Sequence, residues 1–461
     1  MIGGAVKRQR ISQSVALASI LSVVGGFGPA DAQDAVAGGT ILTFGVETKL
    51  SVSDNYNLEF IAPGTSTVLD TTLSFGYLAE TATDRFSFKI NGILRGSDLP
   101  GAGGDFRFDD PGMAVSYDRE GANSRLSASA DYTRANLDFI DPFQFIEDGV
   151  LVNGTGQREI RSAKVNFDTG TNDPLGFGIE LARRELDYSN TTDPNLFDTQ
   201  KDTVALTARL RLSPVLDSRV KVSQETYSAD DLALTDRKTC ALSFGATYEI
   251  SAVTTLDVDL GTEKIADSVA GSSRGSFGSV NLTRALANGS AGLVLDRSFG
   301  TEGGRTTVSV NRSMDLPSGT LAFSLGVTKG ELGGTGIIGN IDYGQTLPRG
   351  ELTASLGRGV TSGSDGNDVL TTKAAIGYTM PATAISSLSF DVNYVQVEDV
   401  GTGGTLTTDR TTLRAAYTRE LTADWNLSAG YEHQRRFTES SGTAQSNTVF
   451  MTLGREFSIR K

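Results

Sequence analysis

The sequence predicts an all-β chain folded as a transmembrane up-and-down antiparallel β-barrel of about 22 strands, within a range of about 18 to 22. Three observations predict it. From Thr40 onward, apolar residues alternate with polar or small ones over stretches of about 9 to 13 residues, the period of a strand and not of a helix. The connections between stretches alternate short with long. No stretch after the N-terminal region approaches the roughly 18 uninterrupted apolar residues that a membrane-spanning helix requires.

Taken in chain order, Lys7, Arg8 and Arg10 precede an apolar run at residues 15–24 and a small-x-small sequence, Ala30-Asp31-Ala32. That order predicts a cleaved secretory signal peptide over 1–32, leaving 33–461 for the barrel. In the first strand Leu42, Phe44, Val46, Leu50 and Val52 share one face, and Thr43, Gly45, Glu47, Lys49 and Ser51 share the other. The clearest row is Val204, Leu206, Ala208, Leu210 and Leu212, interleaved with Ala205, Thr207, Arg209 and Arg211. Segments at 275–286 and 337–347 alternate weakly and set the uncertainty in the count. A soluble sandwich also alternates, but its strands run to about five or six residues, whereas a tilted strand needs about 9 to 11 to cross the hydrocarbon layer.

Short connections are expected at 81–84, 170–174, 214–217, 287–290, 315–319 and 348–350. Longer polar ones are expected at 55–67, 96–105, 135–157, 189–200, 228–238 and 435–446. Short turns on one side and long loops on the other are the asymmetry of bacterial outer-membrane barrels. Tyr77, Tyr117, Tyr132, Tyr188, Tyr227, Tyr248, Tyr378 and Tyr417 recur near segment ends, where phenol rings suit a membrane interface or a buried aromatic pair. The chain is therefore expected in the outer membrane of a Gram-negative bacterium, surrounded by outer-membrane lipid and inserted by barrel-assembly machinery.

With the apolar row facing lipid, the other row lines a polar, hydrated lumen that includes Lys89, Asn91, Lys164, Glu180, Arg410, Arg414 and Glu432. Arg209, Arg211, Arg219 and Lys221 flank the turn at Pro214 and should share one region of the wall, with Asp257 and Asp259 on a nearby strand. Two arrangements are open. Separate basic and acidic patches would set up a transverse field that orients solutes; pairing between neighbours would merely keep the wall wet. The longest connection, 135–157, carries Phe139, Phe143 and Phe145 and is a candidate constriction loop, a rim cover or a partner-binding loop.

Composition excludes much else. A formal net charge of −14 disfavours nucleic acid as a partner, since little here would neutralise phosphates. One Cys rules out a disulfide within the chain, and together with a single His it removes most metal and acid–base chemistry from consideration. His433 is followed by Gln434, Arg435 and Arg436, with no serine and acid at a diagnostic spacing, and Cys240 lies on the apolar row with Leu242 and Phe244. Glycine-rich pieces such as 330–336 lack a Gly-Lys-Ser/Thr sequence. No enzyme and no cofactor is expected. A TonB-dependent receptor has about 22 strands too, but carries a plug domain before them; here alternation starts almost directly after the predicted signal. An autotransporter would show a change of composition between passenger and barrel, and none is seen.

Leu50-Ser51-Val52-Ser53-Asp54-Asn55-Tyr56-Asn57-Leu58 resembles the opening of bacterial outer-membrane β-barrel porins of the barrel porin 2 type, which begin with a similar strand ending in Asp-Asn and a Leu. The resemblance implies an outer-membrane barrel, in some members tied to exopolysaccharide export, and supplies no substrate. In most such barrels a terminal aromatic forms part of the assembly signal; Phe457 is the matching residue, followed by Ser458, Ile459, Arg460 and Lys461. The expected function is a porin-like channel passing small hydrophilic solutes or a polysaccharide. The alternative is a plugged structural barrel whose outer loops bind a partner or glycan.

Overall fold

The computed structural model describes residues 38–101, 103–139, 155–191, 193, 196–301, 303–331, 334–362, 368–399, 407–439 and 441–460, so the expected signal peptide lies outside them. The first half of the wall comprises β1 (Gly39–Ser53), β2 (Ser66–Glu80), β3 (Asp84–Leu99), β4 (Gly103–Glu120), β5 (Ser124–Asn136), β6 (Gln157–Thr169), β7 (Leu175–Ser189), β8 (Thr199–Ser213), β9 (Leu216–Ala229), β10 (Asp236–Ser251) and β11 (Thr254–Asp267). The second half comprises β12 (Gly271–Leu286), β13 (Gly289–Gly300), β14 (Gly303–Leu316), β15 (Gly319–Gly330), β16 (Thr335–Leu347), β17 (Gly350–Ser362), β18 (Asp368–Thr383), β19 (Ser386–Asp399), β20 (Thr407–Glu420), β21 (Trp425–Thr438) and β22 (Gly442–Arg460). Each strand runs antiparallel to the next. β22 closes the ring on β1, from Ile41 opposite Arg460 to Ser53 opposite Thr448.

The fold is thus the closed 22-stranded antiparallel barrel that the alternation predicts, and both weak segments are strands, β12 and β16. Apolar side chains lie outside. Val204, Leu206, Leu210 and Leu212 are 43–58% exposed, while Ala205 on the opposite face is 2% exposed. Such an inverted distribution is stable only where the outer surface meets hydrocarbon. Aromatic rings run around the closing seam: Phe44 lies 5.1 Å from Phe75 and 6.5 Å from Phe457, and Phe75 lies 6.1 Å from Phe88. Phe457 therefore faces outward on the seam, and β22 continues past it to Arg460.

Tyr77, Tyr117, Tyr248, Tyr378 and Tyr417 all lie on outward rows close to the short-turn ends of their strands, the position of one interfacial girdle. Tyr227 does not join them. It is on the inward row of β9 with the Arg237 guanidinium 5.5 Å from its ring centre.

Two expected loops are hairpins instead. β3 and β4 remain paired to Leu99 and Gly103, and β21 and β22 to Thr438 and Gly442, so 96–105 and 435–446 are mostly wall. Their Gly, Ser and Asp content suggested loops, but a ladder above the membrane is held by backbone hydrogen bonds and needs no apolar face. The 18 residues of β4 extend about 60 Å along the strand, well beyond a hydrophobic band about 25 Å tall. The expected rhythm also fails on one side. Above β11 to β16 the outer connections shrink to 268–270, 301–302 and 331–334, as short as the turns at the other end.

Candidate functional site

The six predicted lumen charges come together in one band across β6 to β11, as interleaved pairs. Arg219 donates from Nη2 to Asp257 at 2.9 Å, from Nη1 to the same carboxylate at 3.0 Å, and from Nε to Asp259 at 3.1 Å. Arg209 reaches Asp168 at 3.4 Å and Arg211 reaches Asp217 at 3.2 Å. Lys221 lies 3.8 Å from Glu180, which also holds Lys164 at 2.7 Å. Asp257 and Asp259 therefore form no acidic patch facing the basic one across the lumen. Adjacent strands lie only about 4.8 Å apart, so an arginine easily spans one intervening strand if that strand is bare.

Gly245 on β10 is the bare position between Arg219 and Asp259. A Cβ there would lie 2.4 Å from Arg219 Nε and 2.6 Å from Asp259 Oδ2. Replacing Gly245 with valine is expected to push Arg219 off its carboxylates, at a cost of about 1–2 kcal/mol in unmade charge-assisted hydrogen bonds. The freed guanidinium should shift the reversal potential under a salt gradient toward anions; unchanged selectivity would show that the pairing does not tune the lumen.

A second cluster, near the long-loop end, escaped the sequence reading. β4 carries a bulge where the register against β3 jumps from Gly112 opposite Asn91 to Asp109 opposite Ile93, with Asp110 at φ +48° and Pro111 following. The extra residue turns two successive carboxylates, Asp109 and Asp110, toward the lumen. Arg95 sits between them with 4% of its side chain exposed. It lies 2.7 Å from Asp70, 3.1 Å from Asp109 and 3.1 Å from Asp110. Arg107 adds a contact to Asp109 at 3.1 Å. Asn136 at the top of β5 donates its side-chain amide to Asp109 at 2.9 Å and its backbone N–H to Asp110 at 2.7 Å.

This cluster anchors the longest connection. The chain leaves β5 in a 3-10 turn at Leu137–Phe139, and the Phe139 ring centre lies 4.2 Å from the Arg95 guanidinium and 5.2 Å from that of Arg107. Phe139 therefore packs on the wall by the outer mouth; Phe143 and Phe145 lie outside the described residues. Tyr56 meets Phe139 edge-on at 5.6 Å, and burial pushes its phenol pKa up, so it packs as a neutral ring.

Tyr56 belongs to the Leu50–Leu58 segment singled out above, and Asp54 and Asn55 of that segment have structural roles. Asp54 accepts from the Asn447 side chain and backbone, both at 2.7 Å. Asn55 is 2% exposed; it accepts from the Glu59 N–H at 3.0 Å and donates to the carbonyls of Glu59 at 2.7 Å and Gln445 at 2.9 Å. Leu58 is buried at φ +52°. The first outer loop is thus tied to β22 on one side, and through Tyr56 and Phe139 to β3 and β4 on the other. The Asp109-Asp110-Pro111-Gly112 run inside an alternating segment was the available signal for the bulge.

His433 bonds Asn447 Oδ1 through Nδ1 at 2.9 Å, an oxygen that also receives the Tyr431 hydroxyl at 2.6 Å, which makes the histidine part of the seam. Cys240 is exposed on the outer row. Among the described residues no group of His, Cys, Asp and Glu is arranged to hold a metal.

No protein-family model and no curated protein matches the chain. Solved structures do. The ferric enterobactin receptor mutant Q482A from Pseudomonas aeruginosa, in complex with enterobactin, superposes with a TM-score of 0.54 at 12% identity, over 92% of this chain and 82% of that one. The FrpB iron transporter from Neisseria meningitidis gives 0.54 at 8% identity, over 92% and 82%. The ferric-catecholate import receptor Fiu from E. coli K12 gives 0.54 at 11%, over 90% and 81%. At such identities the likeness shows the fold, that of outer-membrane barrel receptors.

Proposed function

We propose that this chain is an outer-membrane conduit for hydrophilic solutes, small or polymeric, exported with a signal peptide at 1–32 that is cleaved and inserted among outer-membrane lipid by the barrel-assembly machinery. The observation that carries this reading is the wall itself: a closed ring of 22 strands, apolar outside and lined with paired charges and hydroxyls inside. A barrel of this circumference encloses water unless something fills it. The solved structures that it resembles in fold include an iron transporter and a ferric-catecholate import receptor, and the Leu50–Leu58 segment suggests kinship with barrel porins of type 2.

The second reading, a plugged barrel that binds a partner or glycan through its loops, draws support from the Tyr56, Phe139 and Arg95 cluster at the outer mouth. Conductance separates the two. The refolded chain from Gln33 to Lys461, placed in a planar bilayer, is expected to give stable single-channel steps. A heat-modifiable, folded barrel with no steps would sink the conduit and leave the plugged form standing.

A further inference from the structure

The lumen has two unlike sides. On β2 to β11 the inward row carries the ion pairs described above. On β12 to β17 it is mostly hydroxyl, amide and glycine: Ser279, Asn281, Ser309, Asn311, Ser324 and Ser355 alternate with the exposed outer residues Val308, Val310, Leu325 and Leu356. Apart from Asp315 and Glu351 at the turn-side ends, the charged members of this row among the described residues are Asp296, Arg305 and Asp342. The polar groups here bond to one another within the wall. Asn340 accepts from Ser324 and donates to Asp342 at 2.7 Å, and Thr307 donates to Thr328 at 3.0 Å.

The β15 to β18 stretch of this wall also leaves room for a solute. No heavy atom lies within 4 Å of where a Cβ would stand on Gly357 or Gly359, both on the inward row of β17. A recess of about 250 Å³ is lined by Thr320, Asp342, Gly344, Thr353, Ser355 and Ala375. In a ring of 22 strands, the strand eleven places away lies across the lumen, so β15 faces β4. The Arg95 cluster and the Phe139 anchor thus project from the wall directly opposite the smooth one. The two shortest strands among the described residues, β13 and β15 at 12 residues each, also lie there.

We infer that solute moves along the β12 to β17 wall, and that this track suits uncharged, polyhydroxylated molecules such as neutral oligosaccharides. The inference rests on the conduit reading and deepens it. Hydroxyls and side-chain amides both donate and accept, so they exchange hydrogen bonds with sugar hydroxyls at each step without holding any one strongly. The opposite wall does this less well, because its donors and acceptors are held by full charges in ion pairs, whereas a hydroxyl or amide bonded to a neutral neighbour keeps a lone pair or a second N–H to offer. Charge separation along the track is sparse, so an ionic solute gains little there to offset the loss of its water.

The test uses the full mature chain carrying Cys240→Ser, with single cysteines placed on each wall: Ser309→Cys and Ser324→Cys on the track, Ser129→Cys and Thr207→Cys opposite. A bulky cationic methanethiosulfonate is applied in the planar bilayer, and labelling of each variant is verified by mass. Modification on the track is expected to cut single-channel conductance roughly twofold, and modification opposite to leave it within about a tenth. In liposomes, a neutral trisaccharide should enter faster than a sulfated trisaccharide. Equal or larger losses at Ser129 and Thr207, or faster entry of the sulfated sugar, would overturn the track while leaving the conduit intact. No conductance in the unmodified parent would overturn both.

Discussion

Replacing Arg95 with methionine is expected to destabilise the barrel by about 3–5 kcal/mol, the range for removing one partner of a buried charge group. The magnitude follows from what stays behind. Asp70, Asp109 and Asp110 converge on a guanidinium with 4% of its side chain exposed, and Asp109 is itself 4% exposed, so the carboxylates would face one another with little water to screen them. Arg107, which lies 3.1 Å from Asp109, is 37% exposed and compensates only in part. Urea titration in detergent micelles measures the loss. Phe139 also loses the cation it stacks on, so the connection after β5 should become protease-sensitive and single-channel conductance should rise. Adding Asp109→Asn and Asp110→Asn to the same chain should restore much of the stability, because neutral amides no longer repel. An Arg95→Met barrel with parental stability, protease resistance and conductance would show that the cluster does not hold the mouth.

Deleting Asp110 should leave the wall closed and strip the cluster of one carboxylate. Between Gly112 opposite Asn91 and Asp109 opposite Ile93, β4 has two residues, Asp110 and Pro111, where β3 has Gly92 alone. Without Asp110 the two strands match in length there, so the side-chain period of two still carries Arg107 and Asp109 inward and leaves Phe106 and Phe108, now 70% and 52% exposed, outside. Arg95 would keep Asp70 and Asp109 and lose Asp110, and the Asn136 backbone N–H would lose its acceptor. The expected result is a heat-modifiable gel shift like that of the parent, a loss of about 1–3 kcal/mol in urea titration, and a connection after β5 that is more open to protease, with Asp110→Asn as the control that keeps the bulge. A deletion variant that fails to close would mean that the wall itself needs the bulge.

The architecture was legible because its signal repeats. Each crossing needs its own apolar row, so Leu175, Phe177, Ile179 and Leu181 on β7 announce a strand as plainly as Val204 to Leu212 on β8, and the turn positions at 81–83, 214–215 and 348–349 follow. Strand height was not legible, because above the membrane the ladder of β3 with β4 continues through Gly96, Gly103 and Gly104 without any side-chain requirement. The lumen was half legible. Alternation places Arg219, Asp257 and Asp259 on the inward row, but which charge meets which depends on register and on a bare Gly245 between them, and neither can be read from one strand alone. The Arg95 cluster was hidden for the opposite reason: a bulge breaks the very parity on which the reading of inward residues depends.

The closing seam has a consequence for how the chain becomes a barrel. Ser53 and Ser446 share a hydrogen bond of 2.8 Å across 393 residues of sequence, and every pairing between β1 and β22 is of this kind. All other strand pairs join neighbours in sequence, so hairpins can form locally and in any order, whereas the ring joins only when the last strand meets the first. Until then, two raw sheet edges some 13 paired positions long stand open, each a template for another chain. A chain cut before β22 is therefore not a slightly smaller barrel but an open sheet, and loss of the final segment should be all-or-none where loss of an internal hairpin need not be.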